Sequence, residues 1–129
     1  MIHTLRQRLR QYQPRSLPLD LPEAAVLMPV TDSSNPEFIL TVRSSAMPTH
    51  AGEVAFPGGK QDPDDEDLLA TALRESHEEV GLQAADVDVL RQLSPLASRY
   101  GMKVTPFIGL VPHGVPLVAE PGEIHDIFR

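Results

Sequence analysis

The chain has 129 residues, of which 41% are apolar, and its formal net charge is −7. This length suits one domain with a modest core, and the acidity argues against general nucleic-acid binding. The chain contains no cysteine, which excludes disulfides and thiolate metal ligands and is compatible with a reducing cytoplasm. No apolar run approaches the length of a membrane span. We therefore expect a cytoplasmic protein without a membrane partner.

Residues 1–22 predict a helix followed by an extended linker. Apolar residues recur at Ile2, Leu5, Leu9 and Tyr12 with helical spacing, and three arginines lie on the other faces. Prolines spaced between residues 14 and 22 favour an extended chain. We expect a solvated basic face on this helix; the alternative is a basic arm that contacts phosphate.

Residues 23–129 form the predicted core, in which several strands surround one helix. Strands are predicted at residues 24–30, 38–43, 53–56, 86–93 and 103–112. We expect the first two of these strands to form a hairpin. Pro106 should place the last strand at a sheet edge or a bulge. A helix between strands predicts an α/β fold with a mixed sheet.

The stretch 58–82, GGKQDPDDEDLLATALRESHEEVGL, combines two glycines, an acidic loop and a predicted helix. Residues 70–79 favour a helix, and Gly81 lies where a left-handed C-cap would end it. We expect a buried face that contains Leu69, Leu73, Ser76 and Val80.

An adjacent arc of the same helix carries three carboxylates, Glu75, Glu78 and Glu79. Like charges at this spacing cost helix stability, unless a cation lies among them. Oxygen-only ligands suit Mg²⁺ or Mn²⁺, and the alternative is a solvated acidic face. Gly58 and Gly59 favour the cation site, because glycines between a strand and a helix let backbone approach a metal or phosphate closely.

This stretch resembles the signature of the Nudix hydrolases. Glu66 is followed, after seven residues, by Arg74-Glu75-Ser76-His77-Glu78-Glu79-Val80-Gly81-Leu82, as in the family pattern. The loop departs from that pattern, because six residues rather than five separate Gly59 from Glu66. Either Asp65 or Glu66 is therefore the acid of the loop.

A second motif resembles the coenzyme A pyrophosphatase branch of that family. It consists of Leu40-Thr41-Val42-Arg43-Ser44 followed by residues 50–59, HAGEVAFPGG. A second arginine of the branch motif is replaced here by Pro48. The resemblance implies substrate contacts at Arg43, Ser44, His50, Phe56, Gly58 and Gly59. Arg99 and Tyr100, in the predicted loop 94–102, are further candidates for contacting the substrate.

The resemblance implies a Nudix α/β/α sandwich and metal-dependent cleavage of a phosphoanhydride. Glu75, Glu78 and Glu79 would bind Mg²⁺ or Mn²⁺, together with the Gly59 carbonyl. Arg74 would pair with Glu66 or Asp65 to hold the helix, and the general base would be Glu75 or Glu123. The implied substrate is coenzyme A or an acyl derivative. The alternatives are another nucleotide conjugate, such as a dinucleoside polyphosphate, ADP-ribose or a sugar nucleotide, and a non-catalytic binding module.

Members of this branch continue with a further strand and a C-terminal helix, which we expect to be missing here. The N-terminal helix does not obviously cover the face that this would leave open. We therefore expect an exposed apolar edge or face near residues 104–111, and a homodimer that covers it.

Overall fold

The computed structural model describes residues 2–48 and 50–129, which form two α-helices and eight strands in two sheets. In chain order the elements are α1 (Ile2–Gln11), β1 (Glu23–Asp32), β2 (Leu40–Arg43), β3 (Val54–Ala55), β4 (Gly58–Lys60), α2 (Leu68–Val80), a 3₁₀ turn (Ala84–Asp86), β5 (Asp88–Gln92), β6 (Leu96–Ala97), β7 (Lys103–Pro112) and β8 (Ile124–Phe128). Neither described helix has the length and apolarity needed to span a membrane.

The larger sheet has the order β4–β1–β7–β5, and β6 pairs with β7 beyond the end of β5. β1 and β7 run parallel, whereas β4, β5 and β6 pair antiparallel with their neighbours, so the predicted mixed sheet is confirmed. β1 and β7 are mostly buried, as expected of central strands covered on both faces. A smaller antiparallel sheet has the order β3–β2–β8.

A helix covers each face of the larger sheet, which gives the expected α/β/α layers. On one face α2 contributes Ala72 and Val80 to a core that also holds Leu27 and Phe107. The other face is covered by α1, whose apolar stripe packs against the β-strand residues of a second cluster. That stripe consists of Ile2, Leu5 and Leu9, and its partners include Val30, Ile108 and Leu110. The expectation that the N-terminal helix leaves this face open is therefore wrong.

Pro106 lies in the middle of the sheet, and the expectation of an exposed edge at residues 104–111 is also wrong. β7 pairs with β1 on one side and with β5 and β6 on the other. The Pro106 carbonyl accepts a hydrogen bond from the Leu93 N–H at 2.8 Å, at the break between β5 and β6. The proline therefore falls where the ladder is interrupted, so its missing N–H costs no strand pairing. Because β7 is covered on all sides, the reason for expecting a homodimer is removed.

The hairpin predicted between the first two strands forms only at its start. β1 and the segment before β2 share a single bridge, Val30 to Phe38, and β2 then pairs with β3 and β8 in the smaller sheet. Both sides of β1 are already occupied, by β4 and β7. The strands that sequence analysis missed, β4, β6 and β8, are two to five residues long.

Candidate functional site

Local capping signals fix the ends of α2, the helix that carries the acidic residues. The Asp67 side chain accepts a hydrogen bond from the Ala70 N–H at 2.8 Å, which makes it the N-cap. Gly81 has a φ of 71° and its N–H donates to the His77 carbonyl at 3.0 Å. This confirms the predicted left-handed C-cap, because glycine adopts positive φ without steric strain.

The three glutamates of α2 differ strongly in exposure. Glu79 is buried, with 5% of its surface exposed. The Glu75 side chain is 19% exposed and that of Glu78 is 52% exposed. The acidic arc therefore runs from the protein interior at Glu79 to solvent at Glu78.

Gly58 and Gly59 lie directly against these carboxylates. The Gly58 N–H donates to Oε1 of Glu79 at 3.4 Å. A Cβ atom placed on Gly59 would lie 2.6 Å from the carboxyl carbon of Glu75, closer than van der Waals contact allows. The absence of a side chain at Gly59 therefore allows the Glu75 carboxylate to lie directly against the Gly59 backbone.

Burial and mutual repulsion shift the pKa values of two glutamates in the acidic cluster. Burial, with the nearby charges of Glu75 and Glu123, raises the pKa of Glu79 to about 8, although the Gly58 N–H and Arg43 oppose the shift. Burial also raises the pKa of Glu75, against the opposing effect of Arg74. A buried carboxylate with a raised pKa gains from a nearby cation.

Glu123 reaches this cluster from the loop before β8. Its carbonyl accepts from the Ser44 N–H at 2.8 Å, and the Glu120 N–H donates to the Glu79 carbonyl at 2.8 Å. These backbone bonds hold the loop against both α2 and the end of β2, so that a residue distant in sequence faces Glu75 and Glu79.

Arg74 connects the acidic loop before α2 to the carboxylates of that helix. Its Nε and Nη2 donate to the two carboxylate oxygens of Asp65 at 2.9 and 3.0 Å, a bidentate pair. Its Nη1 donates to Glu75 at 2.8 Å and to Glu78 at 3.3 Å.

Asp65, rather than Glu66, is therefore the acid that Arg74 contacts. The Thr71 hydroxyl and the Asp62 N–H also donate to Asp65, at 2.8 and 2.9 Å. Glu66 is exposed, and no described cation pairs with it. The loop turns between Asp62 and Asp65, where a backbone bond closes it, and this turn directs the Asp65 side chain inward.

The donor set fits a divalent cation in its chemistry, but the side chains do not surround a common point. Among residues 2–48 and 50–129, no three Asp, Glu, His or Cys side chains are grouped closely enough to hold a metal ion. Arg74 instead neutralises Glu75 and Glu78. Binding of a cation would require these carboxylates to exchange Arg74 for the metal, and the half-exposed Glu78 has room to rotate.

The candidate substrate residues fall into two groups. Ser44, just after β2, donates its N–H to the Glu123 carbonyl at 2.8 Å, and the charge of Arg43, the last residue of β2, opposes the raised pKa of Glu79. Phe56 packs edge-on against Phe38, with ring centroids 5.6 Å apart, and so has a packing role.

His50 and Tyr100 come together across two loops, with ring centroids 3.7 Å apart. Glu53 and Arg99 complete this cluster. Sequence analysis named Arg99 as a candidate but missed Glu53. No local signal identifies Glu53, because its partners are far along the chain.

We expect Asp65→Asn to remove a stability contribution that depends on pH. Hydrogen bonds from Arg74, the Asp62 N–H and Thr71 hold the pKa of Asp65 well below its usual range. The contribution of a depressed carboxyl is complete above its unfolded pKa of about 3.9 and is lost as pH falls below that value.

Thermal melts between pH 7 and pH 3 test this expectation. Wild type should be the more stable protein at neutral pH, and the gap to Asp65→Asn should narrow below about pH 4. Glu66→Gln is the matched control, because its exposed side chain lacks the Arg74 pair. A constant gap across the range would contradict the assignment.

Comparison with known proteins identifies the family. The chain matches the NUDIX domain family over residues 21–127. It is 46% identical over 124 residues to a protein of Yersinia enterocolitica described as an uncharacterized Nudix hydrolase, NudL, covering 96% of this chain and 64% of that protein. It is also 49% identical over 106 residues to NudL of Photorhabdus laumondii, covering 82% of this chain and 57% of that protein. The chain belongs to the Nudix family.

Solved structures agree with this fold. An Ap4A hydrolase of C. elegans in a binary complex superposes with a TM-score of 0.70 at 21% identity, over 81% of this chain and 76% of that chain. The NUDIX domain of Shewanella oneidensis NrtR, solved with ADP ribose, superposes with a TM-score of 0.66 at 17% identity, over 95% of this chain and 79% of that chain. At such identities the likeness establishes the fold alone. The chain spans 64% and 57% of the length of the two NudL proteins.

Proposed function

We propose that this chain is a metal-dependent pyrophosphatase that hydrolyses a phosphoanhydride in a nucleotide conjugate. The observation that carries the proposal is the close approach of Glu75 and Glu79 to the Gly58–Gly59 backbone, with Glu79 buried and its pKa raised to about 8. A cluster of carboxylates that repel one another in a partly buried position favours a cation. Retention of Glu75, Glu78 and Glu79 argues against a non-catalytic binding module.

Glu75, Glu78 and Glu79 would hold Mg²⁺ or Mn²⁺, with the Gly59 carbonyl as a further oxygen ligand. When bound, the cation supplies neutralisation of the diphosphate and a water of lowered pKa. Arg74, tied to Asp65 at 2.9 Å, orients the helix face that bears these ligands. Arg43, whose charge acts on Glu79, would pair with a phosphate oxygen.

For the general base we propose Glu123 rather than Glu75. The Glu75 carboxylate already accepts a hydrogen bond from Arg74 at 2.8 Å. Glu123 faces the same cluster from a loop held by Ser44, which leaves Glu75 to serve as a ligand. If Glu123 is the base, Glu123→Gln should abolish the acidic limb of the pH profile of kcat, whereas loss of that limb only in Glu75→Gln would reverse the assignment.

The proposed substrate is coenzyme A or an acyl derivative, cleaved to 3′,5′-ADP and 4′-phosphopantetheine in the cytoplasm. The support is the branch motif over residues 40–59. Within this motif Arg43 and Ser44 are at the end of β2 near the acidic cluster, and His50 is in the loop before β3. Dinucleoside polyphosphates and ADP-ribose are the alternatives, since the structural neighbours include an Ap4A hydrolase and a domain complexed with ADP ribose.

A panel of nucleotide conjugates tests both levels of the proposal. With Mg²⁺ or Mn²⁺, kcat/KM should be higher for coenzyme A than for ADP-ribose and diadenosine polyphosphates. Phosphatase-coupled phosphate release measures it, with a chelator as the metal-free control. Cleavage of other conjugates but not of coenzyme A would reject the substrate and retain the reaction class. No cleavage of any conjugate would reject the enzyme.

A further inference from the structure

Two loops beside the candidate site are joined by a cluster of four side chains, His50, Glu53, Arg99 and Tyr100. Nη2 of Arg99 donates to Oε1 of Glu53 at 2.5 Å, and the Tyr100 hydroxyl donates to the same oxygen. Nδ1 of His50 lies 3.4 Å from the other oxygen of Glu53. Glu53 is thus the common acceptor that ties the loop before β3 to the loop before β7.

This cluster adjoins the acidic site through Arg43. The Arg43 N–H donates to the Glu53 carbonyl at 2.8 Å, and the Gly52 N–H donates to the Arg43 carbonyl at 3.0 Å. The Arg43 charge in turn acts on Glu79. Arg43 therefore joins the four-residue cluster through its backbone, while its charge acts on the buried carboxylate of α2.

Arg99 is held in place yet open to solvent. Its side chain is 75% exposed. Glu53 and the Tyr100 hydroxyl accept hydrogen bonds from one edge of the guanidinium. The Cζ atom of Arg99 lies 4.9 Å from the centroid of the Tyr100 ring. A side chain already ordered by its neighbours loses less conformational entropy when a ligand binds. The Glu53 carboxylate also accepts a hydrogen bond from Tyr100 and lies near His50, so Arg99 is one of three partners of this carboxylate.

We propose that Arg99 binds a second phosphate of the substrate, a phosphomonoester on the nucleotide distinct from the diphosphate that is cleaved. A planar guanidinium with an exposed edge matches phosphate oxygens, and the diphosphate itself must lie at α2. The substrate class is then a nucleoside-diphosphate conjugate that is also phosphorylated on its ribose. This inference rests on the proposed function. Glu53 is a positioning residue that acts through Arg99.

A binding measurement tests the inference without requiring turnover. Calorimetric titration in Mg²⁺ compares adenosine 3′,5′-bisphosphate with adenosine 5′-monophosphate. Wild type should bind the bisphosphate about tenfold to a hundredfold more tightly, the range expected for a hydrogen bond to a charged group. Arg99→Gln should lose this preference. Arg129→Gln should retain the preference. Arg129 is an exposed arginine that follows Phe128, the partner of Leu40, and Leu40 is at the opposite end of β2 from Arg43.

Further variants separate a phosphate contact from loss of structure. Arg99→Lys should keep part of the preference, because it retains the charge but not the planar fork. Glu53→Gln should weaken the preference, and adding it to Arg99→Gln should change little more. Equal binding of the two nucleotides by wild type, or a preference that survives Arg99→Gln, would overturn the inference.

Turnover distinguishes failure of this inference from failure of the proposed function. Arg99→Gln should raise KM for coenzyme A by about tenfold or more and leave KM for dephospho-coenzyme A within about twofold of wild type. An equal effect on both substrates would overturn the phosphate contact while leaving the hydrolase standing. Absence of turnover in wild type would reject the proposed function, and the binding measurement would still decide the role of Arg99.

Discussion

Glu79→Gln should lower kcat by at least about two orders of magnitude at saturating Mg²⁺, the scale expected when charge stabilisation is removed from a transition state. Glutamine keeps the size of the side chain and the contact with the Gly58 N–H but removes the negative charge. Glu78→Gln should have a comparable effect if Glu78, now paired with Arg74, rotates to join the metal site. Steady-state assays with the best conjugate of the panel measure both.

The fold of Glu79→Gln should remain intact, and its metal-free stability should equal or exceed that of wild type. The pKa of Glu79 is raised to about 8 in the folded chain. Between its unfolded pKa and that value the folded state holds the extra proton, so the stability of the metal-free wild type falls as pH rises. Glutamine does not titrate and avoids this loss.

Glu66→Gln is the matched control for kcat, because it changes an exposed carboxylate in the loop before α2 and should leave turnover within about twofold of wild type. Wild-type turnover in both Glu78→Gln and Glu79→Gln would show that the metal site lies elsewhere. A large loss in Glu66→Gln would show that the loop carries a role that the geometry of Asp65 does not explain.

Gly58→Ala should destabilise the fold by about 2 kcal/mol or more, as overpacking of a closely packed site does. A Cβ atom at this position would overlap the Ala25 carbonyl and lie 2.6 Å from the Cα of Val26. Both contacts are with the paired backbone of β1, which cannot rotate away as a side chain could. β4 would have to separate from β1, and the Gly58 N–H would move away from Glu79.

Gly114→Ala is the control for this substitution, because a Cβ atom there meets nothing within 4 Å. Its free energy of unfolding should change by less than about 0.5 kcal/mol. Denaturant unfolding followed by circular dichroism measures both variants. Equal stability of Gly58→Ala and wild type would mean that β4 is not packed against β1 as described.

Local sequence signals are sufficient to predict the helix that carries the site. Asp67 and Gly81 define its ends through interactions within a few residues, and the spacing of Glu75, Glu78 and Glu79 follows from the helical repeat. The helix ends and this spacing are local, so they do not depend on how the rest of the chain folds. The short loop from Gly58 and Gly59 to the helix predicted that the glycines lie near the carboxylates, but their contact also needs the pairing of β4 with β1.

Features that depend on distant partners follow from the way the strands and helices pack, and the sequence did not predict them. The pairing of β1 with β4 and β7 limited the expected hairpin to one bridge. The pairing of β7 with β1 on one side and with β5 and β6 on the other buried the strand expected at an edge, although Pro106 lies within it. The apolar stripe of α1 was visible, but only packing showed which sheet face it covers. The backbone bonds that hold the Glu123 loop against α2 and β2, and the contact of Glu53 with Arg99, join segments that are far apart along the chain. Such contacts are set by the pairing of strands, and no local pattern of residue types encodes them.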